Sequence, residues 1–336
     1  MAAIKRLKCE VRKNEFLKGG YMNVTLAPKS LEVILKETFS IYKSNFLRLI
    51  AIVAIVQVPI AILAVVANLL MPIYGELGTE APSPFMLLFW IPIYFAMFAA
   101  SIWMGGAVIH AVSEQYFNQP VNIGQAYGFA WRRLRDMFWA VFLVYLAILG
   151  IFLATILISV IIGVATGGIS GWLIASAVAG TLIFVVAPAV IYLGVTWTFI
   201  LPTALLEGCG PRAALSHSSA LVKQNWWRIL GIMLLLLTIV SIIGMIFYMP
   251  AMMGAVSELM TRAMSGTMTE APPELPTWIM AWAVVGGTIG SIISVPIGMI
   301  GITLLYFDLR VRKQGYSLDA LANELGLRSI STDTVA

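Results

Sequence analysis

Six apolar runs, at about 46–70, 85–112, 137–163, 172–205, 229–251 and 278–307, are each long enough to cross a bilayer, which takes roughly 20 helical residues. In hydrocarbon the backbone has no water to bond, so a spanning segment must be a helix or a strand of a closed barrel. Runs of this length are too long for barrel strands. The expected class is all-α integral membrane, with six transmembrane helices. Only 11% of the 336 residues are charged and 60% are hydrophobic, where soluble domains carry about 25% charged residues.

The charges are distributed unevenly between the two sides of these runs. Of the 21 Lys and Arg, 20 fall in the N-terminus, the second and fourth connections and the C-terminal tail. The other side holds Arg262 against Glu76, Glu80, Glu258, Glu270 and Glu274. Positive charge is retained on the cytoplasmic side of membranes, so the pattern predicts a multi-pass protein of the cell (inner) membrane with both termini cytoplasmic. It also gives the net charge of +5 a partner, the anionic headgroups of the inner leaflet rather than nucleic acid. Cys9 and Cys209 both fall on the reducing side, so no disulfide is expected.

The hydrophobic runs are introduced by related segments. GPRAALSHSSALVKQNWWR (210–228) and SLEVILKETFSIYKSNFLR (30–48) align at a shift of 180, placing Lys223 on Lys43, Asn225 on Asn45, Trp226 on Phe46 and Arg228 on Arg48. At a shift of 90 a weaker copy, NIGQAYGFAWRRLRDMFW (122–139), places Arg133 at the position of Lys43. The expected architecture is three repeats, about 28–114, 120–207 and 210–308, within a membrane domain at 28–325. Each repeat is a cytoplasmic amphipathic helix followed by a hairpin of two spans. In the first such helix Leu31, Ile34, Leu35, Thr38, Tyr42 and Phe46 recur at helical spacing, with Glu32, Lys36, Glu37, Ser40 and Lys43 on the other face. It is too short and polar to cross. In the third, small residues such as Ala214 and Ser218 suit packing on protein rather than lipid.

Several local features refine this outline. Residues 1–21 are basic with no apolar core, so they are not a secretory signal. A membrane-surface tether is one reading; the preferred one is an extension ahead of a start at Met22, because 18–22 can be encoded by a purine-rich ribosome-binding run. Gln57 and Asn68 share a face of the first span, where bonds to a neighbouring helix are the simpler role and a polar cavity the other. Asn122, with Gln125 three residues on, is an N-cap pattern. Arg132, Arg133 and Arg135 lie between Trp131 and Trp139, residue types that a membrane interface selects. TGGISG (166–171) reads as a tight turn, since it lacks the Lys-Ser/Thr ending of a phosphate loop. Pro188 and Pro202 predict a kink or tilt in the fourth span. Val256, Leu259, Met260, Ala263 and Met264 suggest a short helix on the outer surface. Gly286, Gly290, Ser294 and Gly298 form a small-residue ridge fit for close helix packing within the chain. Residues 326–336 are expected to be disordered.

For chemistry, one carboxylate ends each even-numbered span: Glu114, Glu207 and Asp308. Either the three converge on one site, or they pair with Lys43, Arg133 and Lys223 and pin the surface helices. An ionised group at the edge of lipid needs a partner, which favours pairing. No ionisable residue lies at the middle of a span, which counts against an ion-coupled carrier. His110 and His217 have no second ligand at helical spacing, and two lone cysteines have no metal-ligand spacing, so neither a metal nor another cofactor is expected. No catalytic grouping is visible.

LPTALLEG (201–208), ALSHSSALVKQNWWRILGI (214–232) and YFDLRVRKQGYSLDAL (306–321) resemble the membrane-domain family found attached to glycerophosphoryl diester phosphodiesterases, and its stand-alone relatives. The resemblance implies a polytopic helical module with no established activity of its own. The phosphodiesterase chemistry of the fused relatives belongs to a separate soluble barrel, whose His and Glu pairs do not occur here. The expectation is a non-enzymatic module that binds lipid or organises a cytoplasmic or membrane partner. Lipid contacts or structural ion pairs are expected at Lys43, Arg48, Arg132, Arg133, Arg135, Lys223, Arg228, Glu114, Glu207 and Asp308. The alternative is a transporter or flippase of an apolar or lipid-like substrate, with Gln57 and Asn68 lining its cavity.

Overall fold

The computed structural model describes residues 30–76, 84–117, 119–166, 168–265 and 275–314, and there is no strand among them. Expectations for residues 1–21, the start at Met22 and the tail at 326–336 lie outside the described residues. Eight helices organise the rest: α1 Leu31–Ser44, α2 Phe46–Glu76, α3 Pro84–Tyr116, α4 Ile123–Thr166, α5 Gly168–Thr196, α6 Pro211–Val222, α7 Trp226–Met264 and α8 Thr277–Gln314. Between α5 and α6 a short helical turn, Ile200–Pro202, runs into a π-helical turn, Thr203–Glu207. Among the described residues six helices are long and apolar enough to cross a membrane, so the chain is a multi-pass membrane protein.

The chain divides into two compact units. One contains Lys29–Trp131 and Leu234–Leu305; the other contains Arg132–Met233 and the end of α8 from Tyr306.

In the first unit, Ser30 caps α1 by accepting from the Val33 amide at 3.4 Å, and Glu32 and Lys43 sit at the helix ends that favour their charges. Ile34 and Thr38 are buried, one turn apart, whereas Val33 and Phe39 remain exposed. Tyr42 Oη donates to the Ile293 carbonyl at 2.9 Å, tying α1 to α8. Burial pushes the Tyr42 phenol up, so it keeps that proton at physiological pH. The chain then turns sharply at Asn45, whose carbonyl accepts from Leu49 to open α2. The same device recurs in the second unit, where the Asn225 carbonyl accepts from Ile229 to open α7.

The segment at 122–139 departs from that plan. Asn122 does cap, its side chain accepting from the Gln125 amide at 3.2 Å. No separate surface helix follows: the segment is the start of the continuous helix α4. Arg132 to Arg135 are good helix formers, and no Asn or Gly follows up to Met137 to break the run. Tyr127, near the start of α4, donates through Oη to the Ile52 carbonyl at 2.5 Å, and the Tyr127 carbonyl accepts from Trp103 Nε1 at 3.0 Å. The expected outer-surface helix at 254–264 is likewise the continuation of α7, which runs through Pro250 without a break. The turn at 166–168 is tight, as TGGISG predicts.

The small-residue ridge of α8 packs inside the chain. A Cβ on Gly286 would overlap the Phe247 carbonyl oxygen, and one on Gly290 would lie 3.1 Å from Gly244 Cα. Glycine is what lets the backbones of α7 and α8 approach this closely.

In the second unit the fourth span breaks at 197–199. Pro202 has no N–H to offer the carbonyl four residues back, so the ladder opens one turn before it. Ser218 of α6 repairs the opening: its hydroxyl donates to the Thr196 carbonyl at 2.9 Å and accepts from the Phe199 amide at 3.2 Å. Thr203 Oγ1 adds a bond to the Phe199 carbonyl at 2.8 Å. Ala214, Ser218, Leu221 and Val222 form the buried stripe of α6, so this helix packs on protein along one face.

Candidate functional site

The π-helical turn ends at Gly208, the described residue with a left-handed backbone (φ 64°). A side chain there would overlap the Arg133 guanidinium, which lies over the Gly208 Cα. The reversal presents Glu207 and Cys209 on the same side of the chain.

Glu207 is almost fully buried, its side chain 9% exposed. Its Oε2 lies 2.5 Å from His217 Nδ1 of α6, and its Oε1 accepts from Tyr306 Oη at 2.9 Å. Arg310 Nε is 4.0 Å from the same Oε1, and Arg310 Nη1 donates to Tyr306 Oη at 3.2 Å. Tyr306 and Arg310 are one turn apart on α8, so one helical face supplies both groups. Asp308 points elsewhere on α8. Its Oδ2 accepts from Arg228 Nη1 at 3.0 Å and from Arg312 Nε at 2.9 Å. Lys313 Nζ then donates to the Ala220 carbonyl near the end of α6 at 2.6 Å. The end of α8 thus joins the π-helical turn, α6 and the start of α7. Buried carboxylates met by guanidinium and hydroxyl donors are the arrangement in which burying charge is tolerated.

Two of the three span-end carboxylates meet arginine, but not the cations expected to pair with them. Glu207 meets His217, Tyr306 and Arg310 in place of Lys223 or Arg133, and Asp308 meets Arg228 and Arg312. Glu114, in the first unit, lies 3.7 Å from His110 Nδ1, one turn back on its own helix, not against Lys43. Both side chains are buried, and Glu114 Oε2 and His110 Nδ1 have no hydrogen-bond partner. The Lys43, Arg48, Arg132, Arg135 and Lys223 residues are exposed, whereas Arg133 and Arg228 are half-buried. Gln57 is half-buried, and the Asn68 side chain lies outside the described residues.

Tyr306, Arg310, Arg312 and His217 are the residues that linear reasoning did not assign. The signal was present in YFDLRVR, where Tyr306/Arg310 and Asp308/Arg312 are two interleaved pairs at four-residue spacing. The structure also unites a set that linear spacing excluded: the ligand-capable atoms of Glu207, Cys209 and His217 lie within 4.8 Å of one another. Cys209 is buried and its Sγ is 3.8 Å from the Glu207 carbonyl.

No curated protein and no solved structure matches the chain. Residues 169–321, which hold Glu207, His217, Arg228 and the whole end of α8 described above, match the family model of the membrane domain of glycerophosphoryl diester phosphodiesterase.

Proposed function

We propose that the protein is a non-enzymatic module of the cell membrane that holds anionic lipid headgroups at its cytoplasmic face. The observation that carries this reading is the division of labour among the cations of the second unit. Arg228, Arg310 and Arg312 are committed to buried carboxylates, while Arg132, Arg135 and Lys223 stay exposed. The exposed cations neighbour tryptophans that also face outward, Trp227 at 79% and Trp139 at 49% exposure. An indole beside a cation suits the headgroup level, where the ring rests on acyl chains and the charge meets phosphate. Carboxylates already engaged by arginine and tyrosine are poor candidates for acid–base work, which supports a binding rather than a catalytic role.

Each cation near an anionic surface is worth about 1 kcal/mol, so three contribute about 3 kcal/mol, on the order of a hundredfold in affinity. Native mass spectrometry of the protein from nanodiscs of mixed phosphatidylglycerol and phosphatidylcholine should show phosphatidylglycerol retained preferentially. The triple variant Arg132→Gln, Arg135→Gln, Lys223→Gln should lose that preference. Equal retention of the two lipids by the unaltered protein would overturn the reading.

A further inference from the structure

We propose that Glu207, Cys209 and His217 form a binding site for a thiophilic divalent cation of the zinc type. Three observations converge on it. The ligand set is one thiol, one imidazole and one carboxylate, a mixture suited to zinc and its borderline-soft neighbours rather than to magnesium or calcium. Their donor atoms lie within 4.8 Å of one another. With metal–ligand bonds of about 2.0–2.3 Å, tetrahedral ligand atoms sit about 3.3–3.8 Å apart, so only small side-chain movements separate this arrangement from a coordinating one. The third observation is the support behind Glu207. Tyr306 and Arg310 hold Oε1, leaving Oε2, the oxygen that faces His217 Nδ1, for the ion. Outer groups that orient a ligating carboxylate in this way are a regular part of metal sites.

The left-handed Gly208 explains why residues two apart in sequence share the site. Access is from the His217 side, whose side chain is 43% exposed while that of Glu207 is 9% exposed. On binding, the Cys209 thiol gives its proton to solvent, and His217 coordinates as the neutral imidazole. Arg310 and Arg133 lie close by, so the ion is held more weakly than in a closed four-ligand site. A solvent molecule takes the fourth position.

The test uses the full chain, purified in detergent and stripped with a chelator, titrated with Co2+. A thiolate-to-cobalt charge-transfer band should appear, saturate at one ion per chain and vanish on adding Zn2+. It should persist in Cys9→Ser and be absent in Cys209→Ser. In His217→Gln, a half-exposed position, and in Tyr306→Phe, apparent affinity should fall at least about tenfold. No band, a band that survives Cys209→Ser, or one unchanged in His217→Gln would overturn the proposal, and the contact would then be a hydrogen bond only. None of these outcomes bears on lipid retention, which is read by different residues.

Discussion

Glu207 and Glu114 are both buried carboxyl groups near the ends of spans, yet their surroundings set opposite expectations for the same substitution. Glu207 is met by an imidazole, a phenol and a guanidinium. Glu207→Gln removes the charge that Arg310, itself 4% exposed, meets at 4.0 Å, a change that costs about 3 kcal/mol. Among the described residues Glu114 has one basic neighbour, at 3.7 Å, a hydrogen bond with the Asn122 backbone, and one oxygen without a partner. Glu114→Gln removes a poorly compensated group and should change stability by less than about 1 kcal/mol, or raise it. Thermal melting in detergent, followed by tryptophan fluorescence, should therefore show a clear drop for Glu207→Gln and little or none for Glu114→Gln. Equal drops would mean that the contacts of Glu207 contribute nothing specific.

At the scale of elements, the contact of α7 with α8 depends on which face of α8 each glycine occupies. Gly286 faces the Phe247 backbone, which cannot yield as a side chain can, whereas a Cβ on the adjacent Gly287 meets nothing within 4 Å. Gly286→Ala should destabilise the protein by about 1–3 kcal/mol through overpacking. Gly287→Ala should be neutral or stabilise it by up to about 1 kcal/mol, the helix-propensity difference. The same melting assay separates the two neighbours, and a matching loss in both would remove the close approach as the cause. The four-residue spacing of this ridge made it legible in the sequence, as the Asn before Phe46 and before Trp226 made two of the helix junctions legible. The partners of Glu207 were not legible. His217 is 10 residues away and Tyr306 is 99, so their meeting is a property of the packing and of no local pattern. Charge type alone suggested Lys223 and Arg133. Likewise the middle amphipathic segment, 122–139, resembled the other two by composition, but it continues without interruption as the start of α4.

For the whole molecule, the charge asymmetry makes a topological prediction independent of any ligand. Alkaline phosphatase fused after Ser265 should be exported and active, and the same enzyme fused after Lys223 should stay inside and inactive. The reverse result would invert the molecule and place the exposed Arg132, Arg135 and Lys223 away from the anionic leaflet. One further consequence concerns synthesis. The interruption at 197–199 is closed by the hydroxyl of Ser218, 19 residues downstream of the Phe199 amide it accepts from. While a chain is still being made, the fourth crossing must therefore enter the bilayer with one end unfinished, and it becomes complete only after α6 has left the ribosome and folded back. A ribosome paused with Ser218 still inside its exit tunnel would hold a half-made protein whose open backbone groups at 197–199 have only water to satisfy them.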